Sequence, residues 1–445
     1  MSEESFELDD LVASHDLDAI DTWLDGHDAI EIAEGLIRLD EADRAIVFRL
    51  LAKDRALAVF EAFEPTYQEQ LITALADDSV HELFLGIDAD DRARLLDEIP
   101  ALVAKRLLNA LPPYARRNTN ILLGYPEESA GRVMSPRYVS VRTGFSAADT
   151  LTKIRMAGLR PREVLIVIIT DNERQLVGVV DLPDLVTADP DELVTNLMRS
   201  ETYAVRVDED QEVGARLMLD ADLVALPVVD TENRLVGVLT VDDAMEILEQ
   251  EETEDIHRTG GVEPLNRPYI DATVLQLARK RALWLLVLIG AATMTVNVLG
   301  VYEDTLAQMV SLALFIPLLI GTGGNSGAQA ATVVIRSMAV GDIRFSDLPR
   351  ILRRELTVGF LLGLMLGFVA LPIVTVFFEF QFAVVIASTL LVICTWASFS
   401  GGLLPMVAQR IGIDPAVISA PMITTLVDAS GLVIYFTIAR ALLPL

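Results

Sequence analysis

The chain has 445 residues, more than one simple domain needs, and a formal charge of −30. Residues 1–281 hold 57 acidic and 28 basic side chains and residues 282–445 only 8 and 7, so an acidic soluble part precedes an almost neutral one. The acidity argues against nucleic acid and anionic lipid as partners and for cations, although a saline habitat selects the same surface; the single cysteine, Cys394, rules out a disulfide or thiolate metal site within one chain.

The start, Met1-Ser2-Glu3-Glu4-Ser5, is acidic and polar and does not read as a signal peptide. From Leu39 a twelve-residue repeat follows, with first positions Leu39, Leu51, Phe63, Leu75, Ile87 and Ile99. Each unit pairs a polar start with an apolar run, and Asp, Ser and Pro among the starts suit helix N-caps and first turns. The pattern predicts short helices stacked into a small superhelix over about 15–125. It holds no nucleophile–base pair, and His15, His27 and His81 lack metal-ligand spacing. Acids on the turns, among them Asp88, Asp90 and Asp91, can face a partner domain or simply solvent.

Two similar segments come next. The first runs from Val133-Met134-Ser135-Pro136 through Val167-Ile168-Ile169-Thr170-Asp171 and Leu176-Val177-Gly178-Val179-Val180-Asp181 to Asp184-Leu185. The second runs from Leu197-Met198-Arg199-Ser200 through Leu226-Pro227-Val228-Val229-Asp230 and Leu235-Val236-Gly237-Val238-Leu239-Thr240 to Asp243-Ala244. The short β-branched runs predict buried strands joined by hairpins at Asn172-Glu173-Arg174 and Glu232-Asn233-Arg234. This resembles a CBS-domain pair, a regulatory module that in many proteins binds adenosine nucleotides between its repeats. On that resemblance Thr240 and Asp243 occupy positions that could hold a ribose of ATP or another adenosine nucleotide; Asp181 and Asp184 are their first-repeat equivalents, without the threonine. An acid cluster follows: Asp242, Asp243, Glu246, Glu249, Glu251, Glu252, Glu254 and Asp255. A solvated helical face and a site bridged by divalent cations both fit it.

Gly260-Gly261 and Pro264 to Pro268 break the chain. A connecting helix is predicted from about Tyr269 into Arg279-Lys280-Arg281. Five apolar spans follow at about 282–300, 305–338, 356–378, 382–408 and 416–443, each long enough to cross ~30 Å of hydrocarbon. The second passes through Gly321 to Gly327 and is expected to bend or lose regularity there. Arginine and lysine cluster before the first span, between the second and third, and at Arg410 between the fourth and fifth, whereas Glu303, Asp304 and Glu379 lie in the other loops. This places the N-terminus and soluble domains in the cytoplasm of a multi-pass cell-membrane protein and the C-terminus outside.

Two intramembrane stretches are polar. In Gly321-Thr322-Gly323-Gly324-Asn325-Ser326-Gly327-Ala328-Gln329 the small residues allow close packing, while Asn325, Ser326 and Gln329 add oxygens. The other runs from Ser419-Ala420-Pro421 through Thr424-Thr425 to Asp428-Ala429-Ser430-Gly431, with Pro421, Thr424, Thr425 and Asp428 near one helix face. Asp428 lies deep in the last apolar segment. A carboxylate there is costly unless water, a cation or a polar partner meets it, so it marks an ion path or a bonded structural acid.

With these residues the chain resembles the MgtE family of magnesium channels over nearly its whole length. The specific stretches are Tyr125-Pro126-Glu127-Glu128-Ser129-Ala130-Gly131-Arg132-Val133-Met134, Thr253-Glu254-Asp255-Ile256-His257-Arg258, the Gly321–Gln329 run, and Asp414-Pro415-Ala416 with Asp428. The resemblance implies an all-α superhelical N domain (1–125), α/β tandem CBS domains (126–255), a connecting plug helix (256–281) and an all-α pore domain of five transmembrane helices (282–445). It further implies a homodimer in the lipid bilayer with its pore on the two-fold axis, Mg2+ as the ion, and Asp428 as ion ligand. Asn325, Thr425 and Asp414 are its companions in the pore region. Acids at or near the family's sensing positions are Asp210, Glu212, Asp222, Asp243, Glu246, Glu251, Glu254 and Asp255, with Asp88 and Asp91 in the N domain. Magnesium on these acids is expected to hold the gate shut. Ala328 stands where the family often has Asn, and Ala420 where it has a polar residue, which removes oxygen acceptors near the filter.

Other readings are a CBS-regulated transporter of Co2+, Mn2+ or Na+, and a membrane-anchored cation or nucleotide sensor that conducts nothing. Five spans with polar stretches at matching depth exceed what an anchor requires. An enzyme is not expected: the sequence has no metal-binding histidine pair or Ser/His/Asp set, and the glycine run lacks the Lys and Ser/Thr of a phosphate loop.

Overall fold

The computed structural model describes residues 5–443 except 15–16, 76, 161–163, 200, 266–268, 270–271 and 419. Met1 to Glu4, His15, Ser200, Pro268 and Ser419, named above, lie outside the described residues. The chain divides into two compact units, Met1–Glu251 and Glu252–Leu445.

The first unit begins with ten short helices: α1 (Ser5–Ser14), α2 (Leu17–Gly26), α3 (Ala29–Arg38), α4 (Glu41–Phe48), α5 (Lys53–Glu61), α6 (Pro65–Ala74), α7 (Asp77–Gly86), α8 (Ala89–Glu98), α9 (Ala101–Ala110) and α10 (Pro113–Leu122). Asp28 and Asp40 cap α3 and α4 by accepting backbone N–H bonds, and Pro65 and Pro113 open α6 and α10. The twelve-residue period is real, but several of its marker residues end helices: Leu39, Leu75 and Ile99 are buried C-caps, as is Leu111, one period further on. A longer period of twenty-four sits on top of it. Arg44, Gln68, Arg92 and Arg116 each turn back to the carbonyls that end the preceding helix. Arg44 donates to Leu36 and Leu39, Gln68 to Phe60, Arg92 to Leu85 and Ile87, and Arg116 to Asn109 and Leu111, all at 2.6–3.2 Å. Helix ends leave four carbonyls without intrahelical partners, and these side chains supply donors inside the stack. The structural unit is thus a helix pair.

After α11 (Ala130–Val133) the tandem repeat folds as expected. Strands β1 (Ser140–Arg142), β2 (Ile166–Thr170) and β3 (Leu176–Asp181) form one sheet; β4 (Val205–Arg206), β5 (Ala225–Val229) and β6 (Leu235–Thr240) form the other. Each sheet pairs its first two strands in parallel and its last two antiparallel, with a register shift at the same place, Ile169/Thr170 and Val228/Val229. The hairpins also match: Asp171 and Asp230 each accept two backbone N–H bonds at 2.8–2.9 Å, and Arg174 and Asn233 have φ of 67° and 61°. Helices α12 (Ala147–Met156), α13 (Leu182–Thr187), α14 (Val194–Leu197) and α15 (Gln211–Asp220) flank the sheets, and α16 (Val241–Thr259) carries the acid cluster without a break.

The second unit contains the rest: α17 (Val274–Val301), α18 (Glu303–Gln308), α19 (Ser311–Ala339), α20 (Leu348–Phe377), α21 (Phe380–Arg410) and α22 (Ala420–Leu442). Five of its helices are long and apolar enough to cross a membrane. The connecting helix starts at Val274, not near Tyr269, because Thr273 and Gln276 form a capping box there; it continues directly into the first span. The second span differs more. Residues 303–308 are a separate short helix, and α19 runs regularly through Gly321 to Gly327. Gly323, Gly324 and Gly327 serve packing instead. A Cβ on Gly327 would meet Ile423 at 3.0 Å and the Ala397 carbonyl at 3.3 Å, and one on Gly401 would collide with the Gly327 carbonyl. Helices α19, α21 and α22 close around Ile393, Ala397, Ile423 and Val427, all fully buried. By contrast, α17 buries none of its residues within the chain.

Candidate cation sites

Asp428 sits in the third turn of α22, half-buried, and no described residue gives it a hydrogen bond or an ion pair. One turn earlier Thr424 and Thr425 both donate their hydroxyls to the Pro421 carbonyl at 2.8 Å. With their protons committed, these oxygens present lone pairs outward. Gly324 of α19 faces this surface: a Cβ there would lie 3.2 Å from Thr424 and 3.6 Å from Asp428 Oδ1. The bare backbone lets α19 approach α22 closely beside the carboxylate.

The polar residues of α19 do not converge on Asp428. Ser326 is buried and pairs with Ser398 of α21 at 3.1 Å. Asn325 and Gln329, one turn apart, are exposed on the outside of the single chain. An amide pair cannot face hydrocarbon without loss, so this stripe requires water or another polar surface. Asp414 is also apart. One of its oxygens accepts the Ala416 N–H at 2.8 Å, capping the turn before α22, and the other accepts Arg258 at 2.6 Å.

In the soluble unit a cavity of about 160 Å³ opens between α8, the sheet ends and the start of α16. Asp88, Asp90, Asp91, Asp242, Asp243 and Glu246 line it, with Arg137 and Arg160 among them. Asp90 is buried and its Oδ1 has no partner. Burial first, then the neighbouring Asp243, hold its carboxyl well above the usual range. Burial also pushes Asp91 up to about 6 against the pull of Arg94, and Asp243 up to about 7 despite a hydrogen bond from Thr240. Arg94 pairs with Glu246, and Arg160 with Asp88 and Glu61. Among the described residues no three His, Cys, Asp or Glu side chains converge as a ready metal-ligand set. The acids are collected and short of positive charge, but not arranged around one point.

Three family descriptions match the chain: the divalent cation transporter MgtE over residues 316–438, the MgtE intracellular N domain over 27–128, and a CBS domain over 194–250. The magnesium transporter MgtE of Thermus thermophilus is 37% identical over 404 residues, 90% of each chain. The chain belongs to the MgtE family. The magnesium transporter MgtE of Bacillus subtilis is 29% identical over 91% of this chain and 89% of its own. The cytosolic domain of the Mg2+ channel MgtE, solved in complex with ATP, superimposes with a TM-score of 0.51 and 32% identity over 55% of this chain and 99% of that one.

Against this MgtE frame, the acids singled out from sequence separate into groups. Asp88, Asp91, Asp243 and Glu246 share the cavity. Asp210 instead caps α15 by accepting the Glu212 N–H at 2.8 Å, Glu212 pairs with Arg216, and Asp222 turns the chain at a φ of 51°. Glu251 accepts the Gln211 side chain at 2.9 Å, and Glu254 pairs with Arg258. Thr240 donates to both Asp242 and Asp243, so the two residues expected at a ribose are tied to one another. The burial of Asp90 with its Oδ1 unpartnered among the described residues, and the position of Gly324 opposite Asp428, were missed. Composition alone does not separate Asp90 from its neighbours Asp88 and Asp91, and only the α19–α22 contact singles out one glycine among four.

Proposed function

We propose that this protein is a magnesium channel that mediates Mg2+ influx and closes when Mg2+ binds its acidic soluble domains. The observation that carries this reading is Asp428, an intramembrane carboxylate without a partner among the described residues, next to the bare backbone of Gly324. Magnesium gives up water reluctantly and is held by one or two carboxylates plus waters. Two copies of the chain about a two-fold axis supply two Asp428 side chains, a sparse site from which a hydrated ion can also leave. The exposed Asn325 and Gln329 and the unburied α17 fit such a dimer, which gives polar and apolar faces a second surface to meet. Thr425 oxygens supply outer-shell acceptors. The soluble domains lie in the cytoplasm and the C-terminus outside, following the arginine-rich loops.

For gating, the cavity acids of residues 88–91 and 242–246 and the α16 acids Glu251, Glu254 and Asp255 repel without cation and are drawn together with it. An adenosine nucleotide at Thr240 and Asp243 is a second ligand in this reading; its phosphates meet carboxylates there and require a cation to bridge them. The relatives that match over most of this chain are named magnesium transporters, which supports transport over catalysis.

Asp428→Ala and Asp428→Asn, in protein that still assembles, are expected to abolish Mg2+ flux into proteoliposomes. Normal Mg2+ conduction by Asp428→Ala would remove the basis of the proposal. Competition among Mg2+, Co2+, Mn2+ and Na+ in the same assay separates magnesium from the other cations. Joint neutralisation of Glu251, Glu254 and Asp255 is expected to leave the channel open at high internal magnesium; unchanged closure would overturn the feedback.

A further inference from the structure

Helix α16 ends on an arginine in an unusual position. Arg258 is the first arginine or lysine after Arg234, and with His257 it closes a helix that carries Glu246, Glu249, Glu251, Glu252, Glu254 and Asp255. Its guanidinium lies between two carboxylates from distant parts of the chain. It pairs with Glu254 one turn back, and with Asp414 before α22 at 2.6 Å. All three side chains are about one-third exposed or less, at 33%, 24% and 33%. Without Arg258 the two carboxylates would meet as like charges in a half-buried place, which disfavours the contact. The neighbouring pair from the same helix, Arg336–Glu252 at 3.2 Å, is 60% and 57% exposed and contributes little.

We infer that Arg258 is a tethered cation that holds the Glu254–Asp414 contact when divalent cations are scarce and yields the carboxylates to a divalent cation when they are abundant. It thereby sets the concentration at which α16 responds. The inference rests on the reading of Glu254 and Asp414 as cation ligands; Arg258 itself has no role in that reading. The physical argument is competition. Two carboxylates offer charge for one guanidinium or one divalent ion, and a flexible side chain can leave without unfolding the helix. A fork-shaped guanidinium spans two carboxylates better than a lysine ammonium, but the charge is the larger effect.

Two measurements on the full chain test it. In proteoliposomes, Arg258→Gln is expected to close at ~3- to 10-fold lower Mg2+ on the side of the soluble domains, the scale of one or two half-buried pairs. Arg258→Lys should stay within about twofold of the natural protein, as should the exposed control Arg336→Gln. An unchanged or raised midpoint for Arg258→Gln overturns the inference. The second readout does not depend on flux. Backbone amides of residues 252–259 should exchange at least about threefold faster in Arg258→Gln than in the natural protein in EDTA, and equally slowly in saturating Mg2+. Equal exchange in EDTA overturns the inference even if the natural protein never closes. A natural protein that does not close with Mg2+, but shows the exchange difference, instead overturns the feedback reading.

Discussion

Gly324 of α19 and Asp428 of α22 face each other so closely that a single added methyl at Gly324 would sit 3.6 Å from Asp428 Oδ1 and 3.2 Å from Thr424. The space beside the carboxylate is therefore set by the absence of a side chain. Gly324→Ala should fill it without an outright clash, since the nearest atoms are at ordinary to tight contact. The expected outcome is assembled protein with Mg2+ flux reduced about tenfold or more, because the added methyl presses on Thr424 and Asp428 and shifts the carboxylate that the ion must meet. Gly321→Ala, three residues earlier with no atom within 4 Å, is the control and should conduct normally.

The soluble cavity should make cation binding depend on pH. Asp91 at about 6 and Asp243 at about 7 lie above the ordinary carboxyl value, so the folded protein holds protons that the unfolded chain has released. Their stabilising effect is present below the unfolded pKa and is lost as pH rises through about 6 and 7. Metal-free soluble part, unfolded in urea, should have its midpoint fall between pH 5 and pH 8, and Asp243→Asn should flatten that fall. A divalent cation replaces these protons, so Mg2+ affinity should rise across the same window. Calorimetry in buffers of different ionisation enthalpy should detect proton release on binding at pH 6.5 and little at pH 8.5.

The twenty-four-residue spacing makes a stability prediction. Arg92 is buried and donates to the carbonyls of Leu85 and Ile87 and, at 3.1 Å, to Thr119 Oγ1. Arg92→Leu leaves those acceptors without donors and should lower the stability of the soluble part by ~3 kcal/mol. Arg92→Gln should lose less, about half, because Gln68 already fills the equivalent position with a bond to the Phe60 carbonyl at 2.9 Å. Urea midpoints of the two variants check the order.

The periods of the chain carried most of this fold. Short β-branched runs with polar hairpins located β2, β3, β5 and β6 but not the short parallel strands β1 and β4, and five apolar runs located five long helices, because burial in a sheet or in lipid constrains every residue of such a segment. Ends were less legible. The start at Val274 depends on a capping box in an otherwise plain stretch, and the regular course of α19 depends on what its glycines touch. Asp428 was found because membrane depth makes one carboxylate conspicuous. The soluble acids were too numerous to rank: Asp210 and Asp90 look alike in sequence, yet one caps a helix and the other is buried without a partner at Oδ1. Arg258 was passed over for the opposite reason, as a single base among acids whose value appears only when Asp414 is beside it.

Gly359, Gly363 and Gly367 recur every fourth residue along α20, which puts them on one face against α21. A Cβ on Gly363 would lie 2.6 Å from the Leu391 Cα and 2.8 Å from the Leu391 carbonyl; on Gly359 it would lie 2.6 Å from the Cys394 carbonyl. These are backbone atoms, so no side chain can rotate away, and the two helices must separate. Gly363→Ala should therefore lower the stability of the membrane unit by ~1–3 kcal/mol, the range for overpacking a filled interior. Gly290→Ala on α17, where nothing lies within 4 Å, should be neutral or slightly stabilising through its helix propensity. Thermal unfolding in a single detergent compares the two directly. Equal midpoints would mean that α20 and α21 can move apart without loss, and that the glycine face does not set their distance.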